Sequence, residues 1–390
     1  MSERISFSGA AIVAGDQFEL IDGMSLNVID GRIVSIGDPI PNAKKINLES
    51  GLLLPMFVNA HCHLGDTGAK ELGIGIPMEQ VVSPPDGLKH KFLSNLSREE
   101  HVEQMRHGIT EMLSNGIIAC ADFREQGLDG VLRLKEALKG LPLRVRILGR
   151  MNETLSLNEL LDDAKSLLEF ADGLGIRDVS SYSSTFLKTL RNDFSEKIFA
   201  VHAAENSTIE KNSIKNFGCG QARRALEWGA DILVHLTHTS KEELEEIKSS
   251  NVHVVSCPRS NSILGDGLPD LEKWMDVGLA FSLGTDNFMI SSPDMFREMD
   301  YTSRLIRGMN QDSGVVDSVS ILKSATLNGA QALKLDSDLG SIAKGKFASF
   351  IVVDMNSRNL KYCKDRISAI VHRAGVHDIT SIYIEGEKFK

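Results

Sequence analysis

Cysteine is scarce and scattered. The 390-residue chain carries five, Cys62, Cys120, Cys219, Cys257 and Cys363, with no C-x-x-C pair among them. That argues against a disulfide framework and against a thiolate zinc site, and it fits a reducing cytoplasm. No run of about 18 apolar residues occurs, so no membrane span is expected. The opening MSERISFSGAAIVAGDQFEL lacks a basic segment followed by an apolar one, so no secretory signal is expected either. A cationic excess is missing too. There are 43 Lys and Arg against 53 Asp and Glu, a net charge of −10 and a pI near 5.6. A nucleic-acid backbone binder would need a basic face, so that class is set aside, while the charge says little about small substrates. Repeats and low-complexity segments are also absent. The composition that remains, 42% hydrophobic and 25% charged, is globular. The length suits a large domain plus a small one, and a two-fold homodimer is the commonest default for such a chain.

Residues 1–54 read as short strands separated by turns, with hairpin signals at Asp22-Gly23 and Asp30-Gly31. The C-terminus has the same texture in FASFIVVDMN (347–356) and ITSIYIEGEKF (379–389). One small, sandwich-like β domain built from 1–54 plus 340–390 is expected, around a central domain at 55–339. The centre alternates apolar strand-like runs with amphipathic helices expected over 99–116, 129–141, 157–175 and 240–250, an α/β pattern of parallel strands. Eight strand ends are expected at His63, Asp122, Arg150, Ser180, His202, His235, Ser256 and Asp286. Most lie about one βα unit of 30 residues apart, which points to a (β/α)8 TIM barrel with its site where the strands end. The first interval is nearly double, because it contains the segment 65–94 with three prolines. That segment is expected as a long loop, either a lid over the barrel mouth or a surface decoration.

Reactive residue types gather at these ends. NAHCHLGD (59–66) follows the apolar run LLLPMFV (52–58). In a strand, positions i and i+2 face one side, so His61 and His63 project together and Cys62 points away. In KIFAVHAAE the apolar run ends at His202 with Glu205 three residues on, ADILVHLTH carries His235 and His238, and LAFSLGTDN carries Asp286. Taken singly, each residue has a plain structural role open to it: a buried histidine with its hydrogen bond made, or an aspartate capping a helix. Taken together, several imidazoles plus a carboxylate suit a divalent ion with one position open for water. Glu205 stands where a carboxylate would move a proton.

These segments resemble the amidohydrolase superfamily, in particular its metal-dependent aminohydrolase branch of cytosine, guanine and S-adenosylhomocysteine/methylthioadenosine deaminases and triazine hydrolases. The resemblance rests on LLLPMFVNAHCHLGD, VHAAE, VHLTH, VSCPRSN, SLGTDN, ATLNGAQALKLDSDLGSIAKGKFASFIVVD and IYIEGEKF, which span nearly the whole chain. It implies one divalent metal, Zn2+ first and Fe2+ as the alternative, on His61, His63, His202 and Asp286. It implies Glu205 as proton shuttle, His235 as the group that polarises the attacked atom, and Asp286 as a second aligner of the water. The implied reaction is hydrolytic deamination of an amino-substituted nitrogen heterocycle with release of ammonia. Opening of a cyclic amide or displacement of chloride on the same fold is the alternative. His238 falls at a position not usually catalytic, Cys257 is expected to be structural, and Ser260 and Asn261 steady the site or cap a loop. The stretch 176–183 has no lysine, which fits one metal rather than two, and 180–186 has no substrate-contacting histidine. Arg124 and Arg150 are candidate substrate contacts for a carboxylate, phosphate or ribose-bearing ligand, or else partners of local acids.

Overall fold

The computed structural model describes residues 2–390. They form two compact units, one from Met1–Val58, Glu111–Ala119 and Asp294–Lys390, the other from Asn59–Thr110 and Cys120–Pro293. Among the described residues no helix is long and apolar enough to cross a membrane.

The first unit holds two sheets. One has four strands in the order Arg32–Gly37, Ser25–Ile29, Arg4–Ser8, Lys44–Asn47. The other has six, in the order Glu387–Lys388, Ile379–Ile384, Phe350–Asp354, Gly51–Pro55, Ala11–Ala14, Glu19–Ile21. Strands from both ends of the chain therefore share one sheet. Their inward positions form one core, with Ile5, Phe7 and Leu26 from the first sheet against Leu53, Phe350 and Tyr383 from the second. Phe7 meets Phe350 and Tyr383 edge-on at centroid distances of 5.0 and 4.8 Å, a favourable aromatic geometry.

The second architecture is the barrel. Its strands run in chain order: Phe57–His63, Ile117–Arg124, Arg144–Gly149, Gly173–Ile176, Ile198–Ala203, Ile232–His235 and His253–Ser256. An eighth strand comes in two pieces, Ser282–Leu283 and Asp286–Asn287. The first piece pairs in parallel with the seventh strand and the second piece with the first strand. A strand that pairs at both ends of the sheet order closes the sheet on itself, so the architecture is a (β/α)8 barrel. Asn59 locks the seam: its Nδ2 donates to Thr285 Oγ1 at 2.7 Å and its Oδ1 accepts from Thr285 N at 3.0 Å. The strands are nearly continuous apolar runs because both faces are covered, as in IIACADFR, where every residue is buried. The helices between them start and stop on chemistry legible in the chain. Asn206 caps Ser207–Phe217 by accepting from Thr208 N and Ile209 N, and Gly218 ends that helix at φ 77°.

Two local expectations are corrected. The helix read over 157–175 ends at Phe170, and Gly173–Ile176 is the fourth strand, which therefore ends before Ser180. The glycines that looked like a helix tail are a close approach: a Cβ on Gly173 would lie 2.7 Å from Ile198 C, and one on Gly175 would lie 2.8 Å from a Phe123 ring carbon. The segment 65–94 is not plain loop either. It contains a 3-10 turn at Leu64–Ala69 and helices at Met78–Val82 and Leu88–Asn95. Its apolar residues Ala69, Met78 and Val81 pack with Leu264, Met289 and Ile290.

Candidate metal and catalytic centre

His61 and His63 leave the first strand on its inner side, 0% and 6% exposed, while Cys62 is buried on the other side. Asp286 stands beside them because the second piece of the eighth strand registers against the first, with Asp286 opposite Cys62. His202 is the last residue but one of the fifth strand, and His235 ends the sixth, opposite Ala203. Two of these residues hold strained backbone, His235 at φ 76° and Asp286 at φ 61°. Left-handed conformations are costly for non-glycine residues and gather at functional sites. Here the kinks turn both side chains in at the strand ends.

The donor atoms converge. His61 Nε2 lies 3.2 Å from Asp286 Oδ1 and 3.3 Å from His202 Nε2, and His63 Nε2 lies 3.4 Å from Asp286 Oδ1. One group of potential ligand atoms, from His61, His63 and His202, lies within 4.8 Å of one another, and so does another from His61, His235 and Asp286. The partners on the far side of the rings decide which atoms face in. His202 Nδ1 donates to Arg177 O at 3.0 Å. His63 Nδ1 has Glu125 Oε1 at 2.8 Å and Phe123 O at 3.1 Å. Both rings therefore turn an Nε2 lone pair inward. Burial pushes His61 down to about 3, and burial and then the neighbouring His61 hold His202 well below its ordinary value, so both are neutral at pH 7. Burial alone would raise Asp286, but the His61 ring beside it, and then His63 and His235, hold it well below the usual carboxylate range. Lone pairs and a carboxylate packed at 3.2–3.4 Å repel one another. A cation among them removes that repulsion, so the set is that of a divalent metal site.

Asp286 Oδ2 is fixed separately, accepting from Ser260 Oγ at 2.6 Å. Asn261 Oδ1 lies 3.4 Å from His235 Nδ1, so SCPRSN supports two site residues from the seventh strand end. His235 Nε2 lies 3.6 Å from Glu205 Oε1. Burial, then the charge of Asp286, pushes Glu205 up to about 8. A cavity of about 230 Å³ opens here, with His202, Glu205, His235 and Asp286 on its wall. His238 turns elsewhere, its Nε2 donating to Asp266 O at 2.6 Å.

Of the two arginines named from the sequence, Arg150 lines this cavity and Arg124 does not. Arg124 is fully buried, 2.5 Å from Glu125 Oε2 and 3.3 Å from Asp122 Oδ2. Arg150 lies 3.4 Å from Glu153, which Arg177 also grips. The residue that sequence reasoning missed is Lys89. It stands in a helix of the 65–94 segment, is 3% exposed, lines the cavity and contacts Glu125 Oε1. No pattern in the chain flags one lysine among the polar residues of a long connection.

Known proteins resemble this chain in sequence and in fold. Residues 52–388 match the amidohydrolase family. A putative aminohydrolase of Methanothermobacter thermautotrophicus is 32% identical, with 94% of each chain covered. A 5-methylthioadenosine/S-adenosylhomocysteine deaminase of Halobacterium salinarum is 26% identical over 99% of this chain and 92% of its own. In fold, the chain superimposes on an adenosine deaminase from Xanthomonas campestris solved with bound zinc, at a TM-score of 0.87 and 20% identity, covering 99% of this chain and 92% of that one.

Proposed function

The chain belongs to the amidohydrolase family, and on that premise we propose that it is a hydrolytic deaminase that releases ammonia from an amino-substituted nitrogen heterocycle. The observation that carries the reading is the pairing of Glu205 and His235, 3.6 Å apart, on the wall of a cavity that His63, His202 and Asp286 also line, with His61 Nε2 3.2 Å from Asp286 Oδ1. Those four side chains would hold one divalent ion, with zinc ahead of iron because a zinc-bound deaminase shares the fold. Such an ion supplies a Lewis acid and makes water a nucleophile near neutral pH.

The remaining work falls to the chain's own groups. Asp286, with Oδ2 held by Ser260, accepts a hydrogen bond from the attacking water and aligns it. Glu205 takes a proton from that water as the new C–O bond forms and delivers it to the neighbouring ring nitrogen. A carboxyl pushed up to about 8 both holds and releases a proton near neutrality, the property this transfer needs. His235 donates toward the oxygen of the tetrahedral carbon and stabilises the charge that develops there. A second proton passed through Glu205 reaches the amine, the C–N bond breaks and ammonia leaves. Arg150 is assigned to the substrate wall. The five cysteines, all free, support a reducing, cytoplasmic setting.

The test is metal content of the purified protein together with ammonia release across purines, pyrimidines, pterins and adenosine derivatives. We expect about one ion per chain, because the two groups of donor atoms share His61, and ammonia from one ring class. Ring opening or halide release without ammonia would move the assignment to the cyclic-amide or chlorohydrolase alternative. No ion, and no gain on adding zinc or iron, would overturn the ligand set.

A further inference from the structure

Resting on the deaminase reading, we propose that Lys89 is a specificity-determining residue that selects heterocycles carrying a hydrogen-bond acceptor, a ring carbonyl or carboxylate, on a ring carbon other than the one that bears the amino group. Lys89 is 3% exposed and lies on the wall of the same cavity of about 230 Å³ as Glu205, His235 and Asp286. Among the described residues its ammonium has two carboxylate partners, Glu125 in contact and Asp66 Oδ2 at 3.5 Å. An ammonium has three N–H donors, so one remains for a ligand.

Topology places that donor. Glu125 follows the second strand and reaches His63 on the first, so Lys89 belongs to the strand-one and strand-two side of the ring. Glu205 and His235 belong to strands five and six. In a closed ring of eight strands these two sides face each other. A ring whose amino-bearing carbon is held at Glu205 and His235 turns its far edge toward Lys89. Arg150 and Arg177 also line the cavity, but both are paired with Glu153, whereas Lys89 pairs with Glu125 and Asp66. Burying a cation is costly unless it is paired. Lys89 gains its pairing from Glu125 and Asp66, and is thereby held ready for an acceptor without rearranging. A site built around a buried donor rejects an analogue that leaves the donor unpaired.

The experiment measures binding by calorimetry to the zinc-loaded enzyme, using pairs that differ only in the ring oxygen: guanine against 2-aminopurine, cytosine against 4-aminopyrimidine, and pterin against 2-aminopteridine. We expect the oxo member of at least one pair to bind about tenfold or more tighter, the scale of one charge-assisted hydrogen bond. Lys89→Met should erase that preference with zinc content retained, and Lys89→Gln, which keeps an N–H donor, should retain part of it. A merely structural Lys89 would lower the affinity of both members alike. Equal binding across all pairs by the unmodified enzyme, no binding of any oxo member, or a preference undiminished in Lys89→Met overturns the proposal. Equal binding is decisive even where Lys89→Met does not fold. An oxo preference without ammonia release would keep this role for Lys89 and sink deamination, whereas ammonia from compounds lacking the ring oxygen, with no preference, would do the reverse.

Discussion

Glu125 accepts a hydrogen bond from His63 Nδ1 at 2.8 Å and in the same position contacts the buried ammonium of Lys89. Burial alone would raise this carboxyl, but Lys89, His63 and Arg124 together hold it well below its ordinary value, so it stays ionised at neutral pH. An ionised carboxylate behind a metal-facing imidazole fixes the ring's tautomer and aim.

Glu125→Ala should therefore loosen His63 without removing any ligand atom. The expected loss is about 10- to 100-fold in metal affinity, read as the chelator concentration that strips half the ion. Affinity equal to the unmodified protein would mean that Phe123 O, 3.1 Å from the same nitrogen, is sufficient to orient the ring.

Glu205→Gln keeps the size of the side chain and removes its proton traffic. The turnover number should fall by about 100-fold or more, with metal content unchanged. Near-normal turnover would remove Glu205 from the mechanism.

Gly65→Ala tests how tightly the turn after His63 is seated. A Cβ there would lie 2.7 Å from Arg124 Cζ. That guanidinium cannot retreat, because Asp122 and Glu125 hold it in a site with no solvent exposure. The expected destabilisation is about 1–3 kcal/mol, seen as a lower Tm. An unchanged Tm would show that Arg124 has room the packing does not suggest.

Glu210 makes stability depend on pH. Burial pushes its carboxyl up to about 7, against the Gln221 N–H that favours ionisation and with the Glu243 carboxylate adding to the rise. Between the unfolded value of 4.5 and 7, the folded chain keeps a proton that the unfolded chain has released, so stability falls as pH rises through that window. Glu210→Gln keeps an acceptor for Gln221 N and has no proton to lose, so the decline of Tm from pH 5 to pH 7.5 should be shallower. A decline identical to that of the unmodified protein would assign it to other groups.

The sequence by itself carried every ligand candidate, because strand periodicity and motif are local: His61 and His63 share a face at i and i+2 whatever surrounds them. The eight-fold βα rhythm was legible for the same reason, as was the β texture of both termini. The fourth strand was not, because LEFADGLG has the apolar spacing of a helix tail, and only the neighbouring Ile198 backbone explains why glycine is needed at 173. Arg124 and Lys89 reverse the roles their positions suggest, one being sealed among carboxylates and the other brought to the cavity wall. Burial and charge pairing decide which cation reaches the cavity wall, and both depend on residues brought together from distant parts of the chain. That selection belongs to the tertiary structure alone.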